Sequence, residues 1–336
     1  MVAPTATAAA AAAWRVVVTR RVAPEAMQIL RDAAPALDLD VWDSEDPMPR
    51  DQLLARLSVG ADALYCMLTD KIDAAVLDAG GDRLKMVSTM SVGYNHIDTS
   101  ECKRRGVVLG NTPDVLTETT ADTTVGLVLA ACRRFKEATA SVADGTWGTW
   151  KPNGMCGPDV YGATVGVIGL GRIGAAVARR LRAFSCKILY TGRAPKPEFE
   201  EVLDAKFVRL EELLAEADIV IPLCPLNEST KGMFDKSKFR AMKKTAVFIN
   251  AARGELVNQE DLCEALTEGE IFAAGLDVTT PEPLPTDSPL IKCPNCFILP
   301  HIGSASKGTR TAMATLAAKN LVASYKGEEL PSEVKL

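Results

Sequence analysis

From Trp14 onward, short runs of β-branched or apolar residues alternate with longer amphipathic runs. WRVVVT, LDLDVW, ALYCML, KMVST and VVLGN each have the length and composition of a strand, and segments 24–34, 50–57 and 72–79 between them carry apolar residues at helical spacing. Strand and helix in repeated alternation predict βαβ units, because parallel neighbours need a crossover and the crossover helices cover the sheet. A first α/β domain is expected over 14–112. Pro113 and Asp114 then open a long apolar-rich segment ending near Arg133-Arg134-Phe135-Lys136, which reads as a helix starting a second unit. The alternation resumes with a strand at 164–169, a helix over 172–184, KILYT, LEELLAEA, IVIPL, a helix near 235–242, AVFIN, a helix capped by Asn258, AAGLDV and FILP. The last amphipathic segment, about 304–325, has no partner strand and is expected to return to the first domain. No internal repeat of solenoid period is visible.

The strand at 164–169 runs into Gly169-Leu170-Gly171-Arg172-Ile173-Gly174. Glycines at this spacing between a strand and a helix let the chain turn tightly (Gly169), let backbone approach a pyrophosphate (Gly171) and let helix pack on strand (Gly174), with Arg172 and Ile173 opening the helix. The next strand, KILYT, ends in Gly192-Arg193. A site that reads NAD places an acid there, roughly 20 residues on. A guanidinium instead pairs with a 2′-phosphate, so NADPH is expected in preference to NADH. The fold class that follows is α/β, with two Rossmann-like, doubly wound parallel-sheet domains. The dinucleotide-binding one, 113–304, is inserted in a discontinuous substrate domain of 14–112 and 305–336, and residues 1–13 form a disordered leader.

With 47% hydrophobic and 24% charged residues in a chain of 336, two globular cores are expected. The net charge of -5 opposes a broad basic footprint for nucleic acid or an anionic membrane. No apolar run reaches the roughly 20 residues a membrane helix needs. Nine cysteines, an odd number, fit free thiols in a reducing compartment, and a cytoplasmic location is expected. Cys293-Pro-Asn-Cys296 has neither a second pair nor a histidine cluster, which favours a strand entrance over a metal site. The leader MVAPTATAAAAAA lacks acids, as targeting peptides do, and the terminal Val-Lys-Leu partly resembles a peroxisomal address.

Hydride transfer to a carbonyl needs a substrate anchor, a proton donor and a group that tunes the donor. The chain has two histidines, His96 in SVGYNHID and His301 in ILPHIGSAS. His301 follows a strand, where open α/β sheets build their sites, and Glu282 lies upstream in DVTTPEPLP. GLGRIG, Arg253 in NAARGELV, Glu282 in GLDVTTPEPLP and His301 in LPHIGS, in that order, resemble the D-isomer-specific 2-hydroxyacid dehydrogenases. STMSVGYNHID, NTPDVLTETTAD, GTWGTWKP and the Tyr-Thr-Gly-Arg strand end resemble the glyoxylate/hydroxypyruvate reductases among them. The likeness runs from about Trp14 to Leu336 and leaves out the leader.

The resemblance implies that His301 is the general acid, that Glu282 keeps it protonated, and that Arg253 binds the substrate carboxylate and polarises the carbonyl. It assigns the backbone amides of Val92 and Gly93 to the same carboxylate and Ser304 to the substrate, and places Asp277 at the nicotinamide carboxamide with Thr120 and Gly303 nearby. Gly192 and Arg193 take the adenosine side. It implies NADPH or NADH as cofactor, a small 2-keto or 2-hydroxy acid as substrate, a site in the cleft between the domains, and a homodimer in which Trp150 walls the partner's pocket. His96 and Trp147 read as structural. Asp122 stands where these reductases tend to have glutamate, and PLCPLNEST varies their adenine-side loop. The expected reaction is reduction of glyoxylate to glycolate and of hydroxypyruvate to D-glycerate. Two alternatives within the fold are another D-2-hydroxyacid dehydrogenase and a nucleotide-sensing, dehydrogenase-like corepressor; a formate dehydrogenase would carry glutamine at position 282.

Overall fold

The computed structural model describes residues 13–33 and 37–336, so residues 1–12 of the leader lie outside the described residues. The chain divides into two compact units, one running to Leu116 and resuming over Ser306–Leu336, the other Thr117–Ala305. The sequence-based divisions at 112/113 and 304/305 differ from these by a few positions.

The first unit comprises β1 (Trp14–Val18), α1 (Pro24–Asp32), β2 (Leu37–Val41), α2 (Arg50–Ser58), β3 (Ala63–Cys66), α3 (Ala74–Gly80), β4 (Met86–Thr89), α4 (Thr99–Arg105) and β5 (Val108–Gly110). Its sheet is parallel throughout, in the order β2-β1-β3-β4-β5. Strands β3 and β4 are buried along their whole length because both faces are covered, which explains the apolar run of β3, while β4 ends in the buried hydroxyls of Ser88 and Thr89. Val17, Leu64 and Val87 pack with Leu57, Val76 and Leu77 on one face. Val16, Tyr65 and Met86 pack on the other with Leu30 and with Ala317 and Leu321 of the C-terminal helix, Lys307–Lys326. That helix completes the second cover. Tyr65 Oη and Ser88 Oγ donate to its carbonyls at Ala314 and Ala317, 2.9 Å each. Beyond it, Val334 is buried and its amide donates to Leu109 O at 2.8 Å, so the first residue of the Val-Lys-Leu end belongs to the core.

The second unit comprises α5 (Thr117–Cys132), α6 (Phe135–Ala143), β6 (Thr164–Ile168), α7 (Arg172–Arg182), β7 (Lys187–Thr191), α8 (Pro197–Leu203), β8 (Ala205–Phe207), α9 (Leu210–Glu216), β9 (Ile219–Pro222), α10 (Lys236–Arg240), β10 (Val247–Asn250), α11 (Gln259–Thr267), β11 (Ala273–Leu276), α12 (Pro289–Lys292) and β12 (Cys296–Ile298). Seven parallel strands lie in the order β12-β11-β10-β9-β6-β7-β8. Strand order reverses between β6 and β9, and the crevice at such a point is where doubly wound sheets bind ligands. Leu127, Val128, Val165, Val177 and Ile249 fill one face of the sheet, and Leu213, Val220, Phe239, Phe248 and Leu262 the other.

The segment opened by Pro113 and Asp114 becomes helical at Thr117, because Asp114 has φ +68°, in the left-handed region that a right-handed helix cannot accommodate. The same geometry at Arg134, φ +55°, separates α5 from α6 where one helix was expected to end. Among the described residues no helix is long and apolar enough to cross a membrane.

Candidate active site

Three glycines after β6 have three different local reasons. Gly169 has φ +99°, and a Cβ there would fall 2.8 Å from the Cys224 amide nitrogen in the loop after β9. At Gly174 a Cβ would fall 2.4 Å from Gly169 O, so glycine lets α7 sit against the turn. Gly171 is different. Its φ of -90° and ψ of -162° are open to any residue, and a Cβ would meet nothing within 4 Å. Nothing in the chain's own packing requires glycine there. The requirement comes from open space at the start of α7, a helix with no side-chain cap and no acid in its first turn. Such a helix start suits a phosphate group, so the residues present fit a dinucleotide.

Gly192 and Arg193 follow β7 and are exposed, and Arg193 has no ionic partner among the described residues. Asp122 on α5 pairs with Arg180 on α7 at 2.7 Å, so the departure from glutamate is absorbed in a helix–helix ion pair.

Beyond β11, Asp277 organises the turn that carries His301. Its carboxylate accepts from Ile302 N and Gly303 N at 2.7 Å each, and its carbonyl accepts from His301 N at 2.9 Å. His301 itself sits at φ +54°, a sparsely populated conformation for a non-glycine residue, and these three bonds hold it there. Burial raises the Asp277 carboxyl above its usual range, opposed by the two amides. A Cβ on Gly303 would crowd Asp277 Oδ2 at 2.9 Å and Thr120 Cγ2 at 3.5 Å, so Thr120, Asp277 and Gly303 lie together. Thr123, which the sequence did not single out, donates to Gly303 O at 3.2 Å. Ser304 follows, half-buried.

His301 Nδ1 and Glu282 Oε2 are 2.7 Å apart, and Glu282 Oε1 accepts from Thr279 N at 2.9 Å. Burial works to raise the Glu282 carboxyl, but the hydrogen bond and charge of His301, the Thr279 amide and the Arg253 guanidinium outweigh it and hold it below its ordinary value. Arg253 follows β10. Asn250 fixes that turn, donating from Nδ2 to Arg253 O at 2.9 Å and accepting from Ala252 N at 3.0 Å. Burial pulls the Arg253 guanidinium down, against the charges of Glu282 and Glu255.

The neighbouring Gly254 explains how Arg253 comes near Glu282. A Cβ at 254 would lie 2.0 Å from Thr279 O, so only glycine lets the two loops touch. Gln259 Oε1 accepts from Thr280 N at 3.0 Å across the same junction. Gly254, Gln259, Asn250 and Thr279 were not singled out from sequence; the glycine directly after Arg253 was the available signal.

In the first unit, Asn111 Nδ2 donates to Val92 O at 2.9 Å and Ser91 Oγ to Gly93 O at 2.7 Å. Both carbonyls are thereby engaged, while the Val92 and Gly93 amides have no acceptor among the described residues. Adjacent unpaired amides form an anion-receptive arc. His96 Nε2 lies 2.9 Å from Thr89 Oγ1 in the same loop, a structural contact. Trp147 and Trp150, on the segment after α6, are 75% and 82% exposed in the single chain.

Residues 125–303 match the profile of the D-isomer specific 2-hydroxyacid dehydrogenase NAD binding domain. The chain is 50% identical over 323 residues to a Homo sapiens protein named glyoxylate reductase/hydroxypyruvate reductase, covering 96% of this chain and 98% of that one. Among solved structures, a Thermus thermophilus protein superposes with a TM-score of 0.88 at 44% identity, over 96% of this chain and all (100%) of that one. A Sinorhizobium meliloti NADPH-dependent glyoxylate/hydroxypyruvate reductase, solved with NADP and malonate, superposes with a TM-score of 0.82 at 32% identity, over 96% of each chain. A nicotinamide cofactor, hydride chemistry at a 2-hydroxy or 2-keto acid and the twin parallel sheets follow together: the chain belongs to the D-isomer specific 2-hydroxyacid dehydrogenases.

Proposed function

We propose that this dehydrogenase reduces glyoxylate to glycolate and hydroxypyruvate to D-glycerate, with NADPH preferred over NADH. The observation that carries the reading is the Glu282–His301 hydrogen bond at 2.7 Å, with the Arg253 charge close by. Glu282 engages His301 at Nδ1, which leaves Nε2 to hand a proton to the keto oxygen. Arg253 takes the substrate carboxylate with its planar fork and polarises the carbonyl. The amides of Val92 and Gly93 supply further donors to that carboxylate, and Ser304 borders the substrate.

When bound, the reduced nicotinamide supplies the hydride. Residues that would hold the cofactor are Gly169, Gly171, Arg172, Ile173 and Gly174 at the pyrophosphate, Gly192 and Arg193 at the adenosine, and Thr120, Asp277 and Gly303 at the carboxamide. Asp277 already engages two amides, yet each carboxylate oxygen keeps a second acceptor site. The lone guanidinium of Arg193 supports NADPH, as does the cofactor of the Sinorhizobium relative. The names of the human and Sinorhizobium relatives support the two substrates.

The chain also acts as a homodimer in this reading. Helix α6 has no buried residue of its own, and Phe135 at its start and Trp147 and Trp150 after its end are exposed, which supports cover by a second copy and a role for Trp150 in the partner's substrate pocket. Initial velocities with glyoxylate, hydroxypyruvate and phenylpyruvate, each with NADPH and NADH, test the assignment. Turnover of the two small acids, fastest with NADPH, is expected. Faster turnover of phenylpyruvate, or no turnover of any acid as in a nucleotide-sensing corepressor, would overturn it.

A further inference from the structure

Sequence pairs Cys293 with Cys296, but the fold presents Cys293 to a different thiol. Cys263 on α11 places its Sγ 3.7 Å from that of Cys293, 30 positions away. Cys293 ends α12 and is only 7% exposed, whereas Cys263 is half-buried. Both line a surface cavity of about 680 Å³ whose wall also carries Arg134, Phe272 and Lys292. A small oxidant entering the cavity therefore meets Cys263 first, with Cys293 behind it; Arg134 in the wall is paired with Glu137 of the same wall at 2.6 Å. Lys136 Nζ donates to the carbonyls of Ile291 and Cys293, 2.7 Å each, and pins the segment that bears the second thiol. Cys296 is fully buried in β12.

We propose that Cys263 and Cys293 form a peroxide-sensitive dithiol that closes to an internal disulfide and tethers α11 to the segment entering β12. The Cys263 thiolate attacks one oxygen of hydrogen peroxide, the O–O bond breaks, and the departing hydroxide takes up a proton to leave as water. The resulting Cys263 sulfenic acid is then attacked by Cys293, which forms the S–S bond and expels the hydroxyl as a second water. Two thiols are oxidised, one peroxide is reduced, and two waters leave. Reversal requires an external dithiol. Burial, then the adjacent Cys293 thiol, pushes the Cys263 thiol above its ordinary value, which favours the thiol over the thiolate that attacks peroxide.

Peroxide treatment of the full chain, followed by alkylation and peptide mapping, tests the pairing. A loss of two hydrogens and a link between the Cys263 and Cys293 peptides are expected, reversed by dithiothreitol, absent in Cys263→Ser and Cys293→Ala, and kept in Cys296→Ala. A link joining Cys293 to Cys296, or a Cys263 sulfinic acid with no link, would overturn the proposal. The closed form should also melt several degrees above the reduced form, because the link constrains the unfolded chain. A closed protein with an unchanged midpoint would contradict the tether.

Discussion

The two units reverse strand order at equivalent places and use the crevice in opposite ways. In the first unit the reversal lies between β1 and β3, and side chains fill it. Asp70 Oδ2 accepts from Thr19 Oγ1 at 2.5 Å and from Met67 N at 2.8 Å, while Arg20 reaches Thr69 Oγ1 at 2.9 Å. The helix that follows, α1, begins with Pro24, which has no amide to offer, and Glu25, which repels an anion. In the second unit the reversal lies between β6 and β9, and the corresponding turn is emptied to glycine, with α7 uncapped behind it. Topology alone does not make a nucleotide site. A handful of residues after the central strand decide whether the crevice holds a ligand or the chain's own side chains.

Filling the open crevice should have the largest effect. Gly171→Val should weaken NADPH binding by at least about 100-fold, the scale on which a displaced ligand loses its geometry, with the melting midpoint unchanged because nothing in the chain lies within 4 Å of the new Cβ. Titration and a thermal melt on one preparation separate the two, and a lost fold would break the comparison. Next, Arg193→Ala should cost NADPH about 1.5–3 kcal/mol, or roughly 10- to 150-fold in affinity, and leave NADH nearly untouched; equal weakening of both cofactors would remove Arg193 from the 2′-phosphate.

The opposite change, emptying the filled crevice, acts on stability. Asp70→Ala leaves buried donors at Thr19 and Met67 without their acceptor and should lower unfolding free energy by about 1–3 kcal/mol, measured in urea, with cofactor affinity in the second unit unchanged. The smallest effect is one of pH. Burial raises the Asp70 carboxyl above 3.8, against its hydrogen bonds from Thr19 and Met67 and the charge of Arg20. An acid raised on folding stabilises below its unfolded value and loses that contribution as pH rises through its folded value. Stability of the wild type relative to Asp70→Asn should therefore fall as pH rises from about 4; a difference that grows with pH would reverse the sign assigned to this carboxyl.

Parallel strands buried on both faces read as short runs rich in apolar and β-branched residues, which is why β3, β4, β6, β9 and β10 were legible in the sequence. Helix α6 was not, because none of its residues is buried, and α8 was not, because only Leu203 is. Helix α4, rich in charge, buries Cys102 alone, and α12 and β8 are too short to show a period. At the site, Arg253, Glu282 and His301 were legible by order and residue type. Their support was not: the touch between Gly254 and the Thr279 carbonyl, the Gln259 bond and the hold of Asp277 on the His301 turn join positions far apart in sequence, and single-residue chemistry does not encode such encounters. The Cys263–Cys293 approach was hidden for the same reason, behind a nearer CxxC.

If His301 donates the catalytic proton in a unit that binds its cofactor independently of that residue, replacing it separates turnover from cofactor binding. The direct measurement is kcat for hydroxypyruvate and the NADPH dissociation constant on the same His301→Gln protein at neutral pH. With His301 as the donor, kcat should be at least about 100-fold lower, the usual scale for general acid catalysis, with the dissociation constant within about twofold of wild type. A retained kcat, or an equal loss in both quantities, would contradict it.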